Sequence, residues 1–333
     1  MIVNFAGIWN ASMEASTARK AEPRNYCYAS EIGQSFVTRW LRMKGVEPTN
    51  PPNSRSRRKF TAGSTLEWIV ELVLRRAGLL IETQQHTIDQ IPGCLPTTGR
   101  LDFIFGGVPK LDEAMSAIES LNLPEQMYIA SKDIVEYFTK TLNGASIQPK
   151  ILEVKSLSSN MFSVVQRTGK GLYHHDCQAW HYSKCLNLPA ELAYIDRECL
   201  LIEEFEVTDS VNPMYEKDIR QMTEYFNSTE RPPLDPEVFF DTELMKFSKQ
   251  FMVEYSPFLT MLYGYLTPED YRAKWDKTIA SYNRTFKRCV SNANLTKLNL
   301  SVIDEAKKLF PAWDEYVDLA KSKGITTEEE TEE

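Results

Sequence analysis

Between Ser64 and Val207 the spacing of apolar residues changes from a helical period to alternation and back, and that order leaves few architectures open. From Ser64 to Ala77 apolar side chains recur at Leu66, Ile69, Val70, Val73 and Leu74, a helical spacing that Gly78 ends. Strand-like segments over 79–88 and 100–105 follow, separated by Pro92-Gly93 and Pro96, which predicts a hairpin. Residues 110–143 read as two short helices, and Lys150-Ile151-Leu152-Glu153-Val154-Lys155 sets apolar residues against charge as a strand does. A helix over 173–186, strands near 191–195 and 200–207, and a helical tail from about Pro213 complete the pattern. Upstream, Ser30 is placed to cap a helix through Ile32, Phe36, Trp40, Leu41 and Met43 that Gly45 stops. The succession predicts an α/β core with a central mixed sheet flanked by helices. The expected domains are 1–235, with a helical insertion at about 107–149, then a helical C-terminal extension over 236–325 and a disordered acidic tail over 326–333.

Charge is distributed unevenly. Of 38 Lys+Arg and 46 Asp+Glu, residues 1–100 hold 13 and 8, a local balance of +5, which leaves 25 and 38, or −13, for the rest. Only the N-terminal third is therefore suited to a polyanionic partner. Here Asn53-Ser54-Arg55-Ser56-Arg57-Arg58-Lys59, after Pro51-Pro52, reads as an exposed loop. No run of eighteen apolar residues occurs and the N-terminus lacks a basic start, so no membrane segment or signal peptide is expected and a cytoplasmic location follows. The six cysteines form no C-x-x-C pair and read as free thiols.

The chemistry legible in these residues is that of divalent metal. Mg²⁺ takes one or two carboxylates and keeps several waters, a demand that Asp102 and Glu153 at the ends of neighbouring strands meet. Alternation sends Glu153 and Lys155 to one face of their strand while Val154 points into the core with its carbonyl near the metal. The alternative is a plain salt bridge on a solvated strand.

In its motifs the chain resembles the PD-(D/E)XK nuclease superfamily, in particular its RecB-like and CRISPR-associated exonuclease branch. Phe60-Thr61-Ala62-Gly63 followed by Glu67 resembles the first motif, Gly99-Arg100-Leu101-Asp102 the metal-aspartate strand, and Ile151-Leu152-Glu153-Val154-Lys155 the central motif. Gln178-Ala179-Trp180-His181-Tyr182 resembles the Q-x-x-x-Y helix that closes the site, and Tyr28 to Gly33, Tyr225-Phe226 and Pro232-Pro233 are similar to further blocks. The likeness runs from about residue 26 to 235. It implies a restriction-endonuclease-like core in which Asp102 and Glu153 bind Mg²⁺ (or Mn²⁺), Lys155 is catalytic, Glu67 completes the acidic cluster, and Gln178 and Tyr182 position substrate.

Two residues have competing readings. Ser64-Thr65-Leu66-Glu67 is also a capping box, in which Glu67 would bond the Ser64 amide. His174 and His175 precede Gln178 by three to four residues, so one of them is expected at the same pocket as a metal ligand or a phosphate donor, with His175 as the metal-ligand candidate. The iron-sulfur cluster of several members of the branch is not expected, because Gln34 and Ser35 stand near the early cysteine position and only Cys289 follows Cys199.

DNA contact is expected from Arg39, Arg42, Lys44, Arg55, Arg57, Arg58 and Lys59, with a solvated loop as the alternative for the last four. Taken together, the resemblance implies an exonuclease in phage or bacterial DNA processing, recombination or repair, acting on single-stranded or double-stranded ends. The extension is available for an oligomer or a protein partner. The alternatives are an RNA-directed nuclease and a DNA-binding or assembly protein that keeps the fold without the activity.

Overall fold

A computed structural model describes residues 21–142, 144–241 and 246–291. The acidic tail expected over 326–333 and residues 292–325 of the extension lie outside the described residues. The described residues divide into two compact units, one within 21–47 and 52–232 and one within 48–51 and 233–291.

In the first unit β1 (Cys27–Tyr28) leads through a short turn of 3-10 helix to α1 (Phe36–Met43). The cap of α1 is Ser35, whose side chain accepts the Thr38 N–H at 3.2 Å, rather than Ser30. The chain between them bends at Gly33, with φ +76°, and cannot continue one helix. Gly45 ends α1 as expected. Helix α2 (Ser54–Arg76) starts ten residues earlier than Ser64, with Asn53 accepting the Ser56 N–H at 2.9 Å. The basic run is thus the opening of a helix and not a loop; its side chains are polar on every face, so no apolar period marks it.

The expected hairpin forms and is split between two sheets. Strand β2 (Leu80–Thr83) pairs with β5 (Phe103–Gly107), whereas β3 (His86–Asp89) pairs with β4 (Thr97–Arg100), both antiparallel. The break falls at Gln84, with φ +54°, where the Gln84 N–H bonds Asp102 O and the Leu101 N–H bonds Gln85 O, each at 3.1 Å. Strand β1 adds to β4 in parallel, which gives the small sheet β1-β4-β3.

The central sheet runs β2-β5-β6-β7-β8 and is mixed: β6 (Ile147–Leu157) and β7 (Ala190–Asp196) are parallel, the other pairs antiparallel, with β8 (Ile202–Val207) at the edge. Helices α3 (Leu111–Ser120) and α4 (Glu125–Leu142), expected as the insertion, precede β6. A parallel pair needs a crossover, supplied by α5 (Ser159–Thr168) and α6 (Tyr173–Leu186). Sequence reading missed α5. Both faces of β6 are covered: Leu152 and Val154 pack with Leu66 and Leu74 of α2, and Ile151 packs in the cluster that holds Cys177, Ala179 and Tyr182 of α6. Helix α7 (Asn212–Asn227) completes the unit, with Tyr215 and Ile219 in that second cluster.

The second unit is not helical throughout. An antiparallel pair, β9 (Val238–Asp241) and β10 (Lys246–Lys249), precedes α8 (Phe251–Glu254), α9 (Leu259–Tyr263) and α10 (Pro268–Ser291). Neither Val238-Phe239-Phe240-Asp241 nor Lys246-Phe247-Ser248-Lys249 alternates apolar with polar residues, so no strand period marks them. Val253, Leu259 and Tyr271 form its core. Among the described residues no helix is long and apolar enough to cross a membrane, and the five described cysteines are free.

Candidate active site

The pairing of β5 with β6 ends at Phe103 opposite Leu152, because β4 leaves for the other sheet. The next N–H of β6 on that edge, at Val154, loses its ladder partner, and the Asp102 carboxylate takes it at 2.8 Å. Divergence of two strands thus brings Asp102 against the segment carrying Glu153 and Lys155. These two share a face, as alternation requires, and Lys155 Nζ donates to Glu153 Oε1 at 2.5 Å. The pair is not on a solvated strand, since the Glu153 side chain is 1% exposed and that of Lys155 23%.

Helix α6 closes this face. Gln178 Nε2 donates to Glu153 Oε1 at 2.6 Å and lies 3.1 Å from the Tyr182 hydroxyl, which donates to the Arg100 carbonyl at 3.1 Å. Spacing of i and i+4 puts Gln178 and Tyr182 on one side of the helix. Gly99 makes room for the ring: a Cβ there would lie 2.6 Å from Tyr182 Cε1 and 2.9 Å from Ala29 Cβ.

Glu67 faces the same cluster from α2. Ser64 lies well inside that helix, so it caps nothing and the capping-box reading of Glu67 falls. Burial raises the Glu67 carboxyl, and the charge of Asp102 raises it further against the pull of Lys155 and Arg100. Burial also raises Asp102, although Lys155, the Val154 N–H and Arg100 oppose it. Glu153 is pushed up to about 8, by burial first and then by Asp102. Burial alone would lower the Lys155 ammonium, but Glu153 and Asp102 hold it above its ordinary value. Three carboxyl groups therefore crowd one ammonium.

His174 and His175 lie within electrostatic range of Lys155, and burial is the main cause that depresses both, His174 to about 4. Nδ1 of His175 is 3.1 Å from the Tyr194 hydroxyl. Among the described residues no three His, Cys, Asp or Glu side chains form a preassembled metal cage. One atom nevertheless fits a cation: Glu153 Oε2 is buried without a hydrogen-bond partner, while Oε1 already takes Lys155 and Gln178. A sparse pair of carboxylates matches Mg²⁺, which keeps most of its waters.

The basic residues divide. Arg39 cannot reach DNA: it is fully buried, with NH1 2.6 Å from Asp218 Oδ1, because helix α1 turns it inward against α7. Arg42 pairs with Glu31 at 3.2 Å and remains 39% exposed, and Lys44 donates to the Phe226 carbonyl. Arg57, Arg58 and Lys59 sit at the solvent-facing start of α2; the side chain of Arg55 lies outside the described residues. Sequence reasoning passed over Arg100 and Thr98, beside Gly99, although Arg100 stands within a motif already singled out.

No family model and no curated protein matches the chain. Among solved structures it is similar to SSO0001, with 16% identity over 68% of this chain and 86% of that one, at a TM-score of 0.34. It is also similar to an alkaline exonuclease (LHK-Exo) from Laribacter hongkongensis, with 12% identity over 60% and 86%, at a TM-score of 0.34. The complex of LHK-Exo with dAMP gives 11% identity over the same shares and the same TM-score.

Proposed function

We propose that this chain is a divalent-metal-dependent nuclease that hydrolyses phosphodiester bonds of DNA, working from strand ends. The observation that supports the reading is the orphan Oε2 of buried Glu153, set among Asp102, Glu67 and Lys155 in the order that the sequence motifs imply. Asp102 and Glu153 would hold Mg²⁺ or Mn²⁺, with the Val154 carbonyl, which leaves the strand on the same edge as the N–H bonded to Asp102. His175 is the candidate for a further ligand. When bound, the cation supplies Lewis-acid stabilisation of the phosphate and a more acidic water.

The chain's own residues do the rest. Lys155, kept protonated by its carboxylate neighbours, donates hydrogen bonds to the attacking water or to the phosphate oxygens as negative charge builds on them. Gln178 fixes the Glu153 carboxylate in one rotamer, and Tyr182 fixes Gln178. Glu67 adds a carboxylate from α2. Arg57, Arg58 and Lys59 would meet the backbone of the substrate.

The test is an assay on end-labelled single-stranded and double-stranded DNA and matched RNA, with Mg²⁺, Mn²⁺ or chelator. Cleavage that depends on metal, prefers DNA and disappears in Glu153→Ala and Lys155→Ala supports the proposal. Full activity in either variant would sink the site. Tight DNA binding without cleavage under every metal would instead select a DNA-binding protein of the same fold.

A further inference from the structure

A groove of about 500 Å³ opens beside the acidic cluster, lined by Tyr28, Ser30, His86, Thr98 and Arg100, with Gln178 and Tyr182 at its inner end. Among the described residues no carboxylate lines it, in a chain with 46 of them. Arg100 is exposed and, among the described residues, enters no ion pair, whereas nearby Arg24, Arg39 and Arg42 all do. Thr98 gives its hydroxyl hydrogen to the Thr87 carbonyl at 3.1 Å, so at 2.9 Å it accepts from His86 Nε2. A neutral His86 in that contact carries its hydrogen on Nε2 and leaves Nδ1 as an acceptor. Tyr28 is held by the Arg24 guanidinium, 4.1 Å from its ring centroid, and stays 39% exposed. The groove thus offers one cation for a phosphate, a fixed aromatic ring and neutral hydrogen-bonding groups for a base and sugar. Its volume suits one nucleotide-sized group and not a duplex. Through the Arg100 carbonyl, Tyr182 and Gln178 its floor is hydrogen-bonded to Glu153.

We infer that this groove holds one nucleotide of a single strand next to the bond being cut, with Arg100 on its phosphate. The inference rests on the nuclease reading for its direction and is tested first by binding. Fluorescein-labelled hexathymidylate is titrated in chelator against the full chain and its Arg100→Ala, His86→Ala and Ser30→Trp variants, each first checked for an unchanged Tm. Loss of a charge-assisted phosphate contact weakens binding by about tenfold in Arg100→Ala. It also makes the slope of log K against log salt shallower by about 0.7. Ser30→Trp, which fills the groove from an exposed position, weakens binding to a similar degree. No binding by the native chain, or all three variants within twofold of it with an unchanged salt slope, overturns the inference. Binding that fails in the variants while no metal supports cleavage removes the nuclease reading and keeps the groove; cleavage with an unchanged KM in all three keeps the nuclease and removes the groove.

Discussion

Gln178 donates to Glu153 across the gap between helix and strand, at 2.6 Å, and does so with the Nε2 that also touches Tyr182. A neutral amide in this place steadies a carboxylate without neutralising it. Replacing it by leucine removes one of the two donors to Oε1 and leaves Lys155 alone to hold the carboxylate. Gln178→Leu is expected to lower kcat/KM on a labelled oligonucleotide by about tenfold or more, since a hydrogen bond to a charged group contributes roughly 1.5–3 kcal/mol. Steady-state rates within twofold of the native chain would contradict the positioning role.

Tyr182 depends on an absent side chain. Because a Cβ at residue 99 would stand 2.6 Å from the Tyr182 ring, Gly99→Ala is expected to displace the ring and cost about 1–3 kcal/mol through overpacking. Tyr182→Phe keeps the ring and loses the hydroxyl's bonds to the Arg100 carbonyl and to Gln178 Nε2, which keeps Glu153, at a cost of about 1 kcal/mol. Chemical denaturation separates the two; the reverse ranking would refute the packing argument.

Glu153 should make the protein less stable as pH rises. Its folded-state carboxyl titrates at about 8, above its ordinary value of 4.5, so the native state binds the extra proton between those limits. Stability from this group is present below about 4.5, is lost as pH climbs towards about 8, and changes no further above it. Glu153→Gln is therefore expected to raise Tm at pH 8 by a few degrees and to flatten the Tm-pH curve in that window. Thermal scans in chelator from pH 5 to 9 check this, and an equal slope in both proteins would contradict it.

Arg39 belongs to folding rather than to substrate. It pairs with Asp218, which also accepts the Gly33 N–H at 2.9 Å, so the two side chains tie α1 and the turn before it to α7. Arg39→Ala leaves a buried carboxylate uncompensated and is expected to cost about 3–5 kcal/mol. Arg39→Met with Asp218→Leu should recover most of that loss. Urea midpoints for the single and double variants measure it, and a neutral Arg39→Ala would return this residue to the surface.

The sequence by itself determined what short-range periodicity and turn chemistry carry. Leu66 to Leu74 made a helix ended by Gly78, the segment around Ile151 and Val154 made a strand, and Tyr173 to Leu186 made the helix on which Gln178 and Tyr182 align. Those elements already put Glu153 and Lys155 on one face. The tertiary structure alone decided where chain separation and burial intervene. Nothing local to Asp102 shows that β4 departs and frees the Val154 N–H for its carboxylate, because strand divergence is a property of two sheets. Nothing local to Arg39 tells a buried guanidinium from a solvated one, since its partner Asp218 lies far along the chain. The beginning of α2 at Ser54 was invisible for the opposite reason: a polar helix turn leaves no apolar period, and only the Asn53 cap marks it.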